Sequence, residues 1–387
     1  MEGDPGDRPE HDMDQKRKAL AERLKPLHPE RLKMLLGFDG FVDEIIHPVD
    51  KRLSPESFTR IETIERFAAR IAKASGLSTN IELVPVARKI GGNGPIMCNA
   101  MARHGSAITY VGALGVPVPH EVFRMPENVK LTTIADAGHT DALEFLDGKL
   151  LLGKMNSMND VTYERLVEIV GEAELIRLLA EADLFASVNW SMLPAMTDLW
   201  RRLLKNVLPK TPKKAAKPLF FVDIADPEKR EHGEIVEALD LLKEFKIRFR
   251  VALGLNKKEA YDVAGVLGLF PKEELAKMAP SLRDVTEALY RRLGVDAVVV
   301  HPVDRSATVV NGAYAEAMGP FCAKPKLTTG AGDNFNAGYV LGLLLGLEPE
   351  QALLTGMATS GFYVRNAKSP DFAELVGFIE AWAADAV

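Results

Sequence analysis

Leu327-Thr328-Thr329-Gly330-Ala331-Gly332-Asp333-Asn334-Phe335-Asn336-Ala337-Gly338 is the stretch on which the reading of the whole chain turns. Small residues at 330 to 332 allow a tight turn with exposed backbone N–H groups, and Asp333 then opens an apolar helix running to about Leu345. Those amides and the positive end of the helix form an anion hole. A carboxylate at its rim can accept the proton of an attacking hydroxyl while the amides stabilise charge on a transferring phosphoryl group. Read locally, Asp333 is equally an N-cap, the commonest use of Asp before a helix.

Outward from this stretch, short apolar runs alternate with segments of helical period. Strands are expected at Met34–Phe38, Ile108–Ala113, Leu184–Val188, Leu219–Ile224, Phe249–Leu253 and Ala297–His301. Amphipathic helices are expected at Phe58–Ala74, Met196–Val207, Ile235–Phe245, Lys257–Leu267 and Leu282–Leu293. Strand alternating with helix is the pattern of a mostly parallel sheet covered on both faces, so the expected fold is a three-layer α/β/α sandwich. Between Leu131 and Met155 the helical period is lost, and Leu143 and Phe145 alternate with Glu144 up to Asp147-Gly148, a pair suited to a two-residue hairpin turn. With the strand-like Ile81–Ile90, that hairpin makes a small β-sheet lid over the ligand edge.

Composition narrows the function. With 48 Lys plus Arg against 54 Asp plus Glu, the net charge is −6, which argues against a nucleic-acid partner. Cys98 and Cys322 have neither disulfide-scaffold nor zinc spacing, so a reducing compartment is expected. The longest apolar run, Ala337 to Leu345, is about half of the roughly 20 residues needed to cross a bilayer. Met1 to Gln15 lacks a signal peptide's apolar core, so residues 1–30 are expected as a solvated extension and the chain as cytoplasmic. Pro209–Pro218, with Lys210, Lys213, Lys214 and Lys217, reads as a solvated loop. Gly148-Lys149-Leu150-Leu151-Leu152-Gly153-Lys154 has the G-x4-G-K frame of a P-loop. Met155 replaces the Ser/Thr, however, and the stretch is the return strand of the hairpin, so that reading is rejected.

The Thr-Thr-Gly-Ala-Gly-Asp run closely resembles the C-terminal signature of the ribokinase-like (PfkB-type) carbohydrate kinases. Three more motifs follow that family in order: Gly37-Phe38-Asp39-Gly40-Phe41-Val42-Asp43, Gly91-Gly92-Asn93-Gly94, and Asn256-Lys257-Lys258-Glu259 after a strand. The resemblance spans roughly residues 34 to 366. It implies one ribokinase-like catalytic domain over 31–387, with lid segments near 40–56, 80–92, 107–118 and 131–156.

The same resemblance implies in-line phosphoryl transfer from ATP to a hydroxyl of a small sugar or polyol. Asp333 becomes the catalytic base, with the amides of Gly330, Ala331 and Gly332 as the anion hole. Asn256 and Glu259 organise Mg²⁺, through water, beside the phosphates; locally the same pair reads as a helix capping box. Asp43 and Asp39 are implied as sugar ligands, with Gly91, Gly92, Asn93 and Asn189 beside them, and Thr328, Thr355, Ala358 and Asn366 on the nucleotide side. Asp223 and Asp226 lie near the expected phosphate edge. A monovalent cation and a homodimer are compatible with the family.

Two departures affect the sugar side. Ile96 stands where the family often has Asn, and Val116-Pro117-Val118-Pro119 replaces an acidic residue and a Gly. The sugar therefore does not carry over. A phosphosugar, reached by Arg88, Lys89 or Lys154, a nucleoside acceptor, ADP as donor and a non-catalytic sugar sensor all remain open.

Overall fold

The structure is a computed structural model that describes residues 8–387. In chain order the strands are β1 (Lys33–Gly37), β2 (Phe41–Ser54), β3 (Ser57–Arg60), β4 (Leu83–Gly91), β5 (Ala107–Ala113), β6 (Val129–Ala135) and β7 (Gly138–Glu144). There follow β8 (Lys149–Lys154), β9 (Leu184–Val188), β10 (Leu219–Asp223), β11 (Arg250–Leu255), β12 (Ala297–Val300), β13 (Arg305–Val310) and β14 (Ala313–Met318).

The large sheet has the order β14-β13-β12-β11-β10-β9-β1-β5-β6. From β12 to β6 all neighbours are parallel, and β13 and β14 add an antiparallel edge. Every residue of β9, β10 and β12 is buried, which is why these strands read as continuous apolar runs. One face packs Trp200, Phe220, Phe245 and Phe249 into an aromatic core, with Phe220 and Phe245 stacked at 4.3 Å. The other is covered by the helices Asn93–Arg103, Ala331–Leu344 and Pro349–Asn366. Helix Ala331–Leu344 is apolar because it is enclosed on all sides; among the described residues no helix is long and apolar enough to cross a membrane.

The small sheet holds β3, β2, β7 and β8, with β4 also paired to β2. Leu143 and Phe145 turn inward with Ile46, Ile61 and Phe67 to give it a core of its own. Its hairpin turns one residue earlier than the Asp147-Gly148 pair suggests. The Phe145 N–H donates to Gly148 O at 2.9 Å, and the Asp147 carboxylate instead accepts from the Ile64 N–H at 3.0 Å.

Four expectations are corrected. Segment 107–118 is not part of the lid, because β5 pairs along β1 in the large sheet, and the first part of 131–156 likewise belongs to β6. The helix expected over Phe58–Ala74 covers only Ile64–Ala72, since Ser57–Arg60 pairs with β2. The N-terminal extension is not solvated throughout: Arg8–Leu24 is helical, with Leu20 and Leu24 fully buried and the Arg17 guanidinium 4.2 Å from the Trp382 ring centre. Residues 1–7 of that expectation lie outside the described residues.

Candidate active site

β1 has β5 on one side and β9 on the other, so the chain's path across the sheet reverses there. Crevices at the carboxyl ends of parallel strands near such a reversal are where open α/β sheets bind ligands. The chain places Asp39 just after β1, Asn189 after β9, Asp223 at the end of β10, Asn256 after β11 and His301 after β12 on this edge. A cleft of about 460 Å³ opens there, lined among others by Asn93, Asp223, Asn256, Glu259, Thr328 and Asp333.

Three buried carboxylates each accept a hydrogen bond from an Asn side chain. Asn93 Nδ2 donates to Asp333 at 2.8 Å, Asn189 Nδ2 to Asp39 at 2.7 Å and Asn336 Nδ2 to Asp223 at 2.7 Å. Burial, then the negative charge of Asp223, pushes Asp333 well above the usual carboxylate range; Asp39 and Glu259 add to this, and the Asn93 bond opposes it. Acids buried this close to one another oppose each other's ionisation unless a positive charge compensates.

Asp333 lies in the first turn of helix Ala331–Leu344, two residues beyond its start. Gly330 precedes it at φ +88°, a conformation costly for residues with a Cβ. The Tyr363 hydroxyl donates to Thr329 O at 2.8 Å and pins the loop. The Ala331 N–H is engaged by Thr328 O at 3.1 Å. Of the amides expected to form the anion hole, that of Ala331 is thus occupied, and those of Gly330, Gly332 and Asp333 stand at the helix start, where an N-terminus leaves donors to spare.

Asn256 and Glu259 form the capping box that their local reading suggested: Asn256 Oδ1 accepts from the Glu259 N–H at 2.9 Å, and Glu259 Oε2 accepts from the Asn256 N–H at 2.8 Å. Capping occupies one Glu259 oxygen and leaves the other. Burial and then Asp223 raise the Glu259 pKa, and burial raises that of Asp223. The neighbouring Lys258 ammonium is drawn off to Glu228 and Asp262, at 2.7 and 2.9 Å. Two carboxyls that gain from a nearby positive charge, with Asn336 Oδ1 unpaired among the described residues, are a donor set that a hard divalent cation fits. No cage of three or more acidic, His or Cys groups exists among the described residues, so such an ion would complete its shell with water and phosphate oxygens, the habit of Mg²⁺.

On the lid side Asp43 is half-buried and raised in pKa by that burial, against the bond from Thr140. A Cβ on Gly91 would stand 2.4 Å from Asp43 Oδ1, so only glycine lets this carboxylate rest on β4. Asp39 and Asn189 are corrected from direct ligands to internal supports. Asp39 has no exposed surface, and its oxygens accept from Asn93 N and Gly94 N, both at 2.9 Å, besides Asn189. Burial lifts it to about 6 against those bonds. Ile96, which departs from the expected Asn, sits about where a Cβ on Gly330 would touch it, 3.1 Å away, and so packs against the anion loop.

Helix Pro349–Asn366 does wall the cleft, but through another face than expected. Thr355 and Ala358 are fully buried towards the protein core, Thr355 donating to Gln351 O, and Asn366 is exposed and donates to Phe362 O. Met357, Ser360, Gly361 and Val364 line the cleft instead. Their spacing of i, i+3, i+4, i+7 was a signal available in the sequence. His301 was also missed: its ring stacks on Phe335 at 4.7 Å, burial lowers its pKa to about 4, and Nε2 has no partner among the described residues. The rejected P-loop stretch is, as expected, a turn and a lid strand.

A sequence model of the prokaryotic ketohexokinase family matches residues 9–382. A ketohexokinase from Haloferax volcanii is 27% identical over 359 residues, covering 92% of this chain and 93% of that protein. Among solved structures, a carbohydrate kinase from Agrobacterium tumefaciens is similar with a TM-score of 0.61 at 17% identity, covering 90% of this chain and 97% of its own. Arabidopsis thaliana ribokinase, solved with ribose and ATP, also has a TM-score of 0.61, at 16% identity over 90% of this chain and 98% of that one. These likenesses show the ribokinase-like fold.

Proposed function

The chain belongs to the prokaryotic ketohexokinase family, and from that premise we propose that this carbohydrate kinase transfers the γ-phosphoryl group of ATP to a hydroxyl of a ketohexose. One observation carries the reading: the buried Asp333 carboxylate, tied to Asn93, sits among the free amides of a helix start on the wall of a cleft that also holds Asp223 and Glu259. Asp43 and Asn93 hold the sugar, with Gly91 and Gly92 admitting it close to the backbone. Asp333 takes the proton of the attacking hydroxyl, and the amides of Gly330, Gly332 and Asp333 meet the transferring phosphoryl group. Asp223, Glu259 and Asn256, with Asn336 beside Asp223, would hold Mg²⁺ through water, and the ion would supply positive charge at the phosphates. Such an ion, when bound, would offset the charges of Asp223 and Glu259, which otherwise oppose ionisation of Asp333. Met357, Ser360, Gly361 and Val364 form the nucleotide wall.

ADP release from ATP and Mg²⁺ in the presence of ketohexoses, aldohexoses, phosphosugars and nucleosides tests this. Ketohexose-dependent turnover is expected, reduced at least about 100-fold in Asp333→Asn with nucleotide binding retained. An Asp333→Asn enzyme near wild-type activity would remove the base assignment. Turnover on phosphosugars or nucleosides alone would move the acceptor, and turnover only with ADP supplied would change the donor.

A further inference from the structure

The opposite end of the large sheet carries a second cavity that none of this chemistry uses. It measures about 320 Å³ and lies between the loop that begins at Thr211 and the segment Lys246 to Phe249. Lys213, Lys214, Lys217, Lys246 and Arg248 all line it, and among the described residues no Asp or Glu does. In a chain of net charge −6, five cations on one small cavity are a concentration that composition does not predict. β10 and β11 start at this pocket and run roughly 17 Å to Asp223 and Asn256, so it is separate from the candidate active site.

Two of the charges are matched from outside the cavity: Lys214 pairs with Asp183 at 2.7 Å and Lys246 with Asp296 at 3.1 Å. The remaining bonds go to carbonyls, which position a cation without neutralising it. Lys217 Nζ donates to Lys246 O at 2.6 Å, and Arg248 donates to Leu208 O and Pro209 O at 3.1 and 3.4 Å. Lys213, Lys217 and Arg248 thus border one cavity with no carboxylate partner among the described residues. A bound anion removes their mutual repulsion, and guanidinium beside ammonium is the pairing that suits phosphate. The volume lies at the small end of ligand sites, about 300–1,000 Å³, which limits the ligand to a small molecule.

We propose that this pocket binds a small phosphorylated anion. Lysines that read as a solvated loop in sequence become one wall of a site because Lys246 and Arg248 are brought opposite them.

The test uses inorganic pyrophosphate as probe, titrated calorimetrically into the full-length protein with and without excess ADP. Binding of one pyrophosphate per chain that persists under ADP is expected. Its Kd should rise at least about tenfold in Lys213→Glu/Lys217→Glu and should weaken with added salt. Lys213 is exposed, so Lys213→Glu alone carries the test if the double variant does not fold. Equal affinity in the variants, measured without ADP, or no binding at about 10 mM pyrophosphate would each overturn the proposal.

Discussion

At the residue scale, the site is built from acids that sit above their ordinary pKa because they are buried together. Glu259 illustrates the consequence, since its second oxygen is unused by the cap and its charge acts on Asp333. Glu259→Gln is expected to raise the Mg²⁺ concentration needed for half-maximal rate by about 10- to 100-fold while the protein stays folded, because an amide still accepts from the Asn256 N–H. A magnesium titration of initial rate reads this directly. Gly91→Ala places a methyl 2.4 Å from Asp43 Oδ1 and must displace that carboxylate. The KM for sugar should rise about tenfold or more with a smaller change in kcat, whereas an unchanged KM would mean that Asp43 does not touch the sugar. Asp333 was legible because its surroundings, the Gly330–Gly332 turn and the apolar helix, are contiguous in sequence. Asp39 was misjudged because its partners Asn93 and Asn189 are 54 and 150 positions away.

At the element scale, the decisive contact joins helix Ala331–Leu344, which carries Asp333, to helix Pro349–Asn366, which walls the cleft. They meet at Gly338, where a Cβ would stand 2.3 Å from Thr359 Oγ1 and 2.7 Å from Thr355 O. Backbone cannot yield as a flexible side chain does, so Gly338→Ala is expected to cost about 1–3 kcal/mol in denaturant unfolding and to raise the KM for nucleotide. A variant of unchanged stability would show that the helices can part freely. The same contact explains the misplaced face. Small and apolar residues stand on both stripes of this helix, Ala358 on one and Met357 and Val364 on the other, and only the position of the first helix says which stripe is core and which is wall.

For the whole molecule, the acid cluster sets a pH dependence of stability. Asp39, Asp223, Glu259 and Asp333 all have raised pKa values in the fold, so the native state holds protons that the unfolded chain has released. The stabilising contribution is complete below the unfolded value of about 4 and is lost as pH rises through the folded values, about 6 for Asp39. Without divalent cation and nucleotide, Tm should therefore fall between about pH 5 and pH 8, and Asp333→Asn should flatten the slope. A Tm that rises across that window in the wild type would contradict the buried cluster.

What the sequence determined by itself is local: the alternation that makes a parallel sheet, the hairpin near Asp147, the capping box of Asn256 with Glu259 and the glycine turn before Asp333. Each is written within a few residues, because strand pleat, helical turn and cap geometry all act over that range. Tertiary structure alone decided that Asn93 meets Asp333 across 240 positions and Asn336 meets Asp223 across 113. It also decided that β5 joins the large sheet rather than the lid, and that Lys213 shares a cavity with Arg248. Strand order and helix placement depend on which apolar faces bury each other best over the whole chain, and many distant segments carry faces of the same kind.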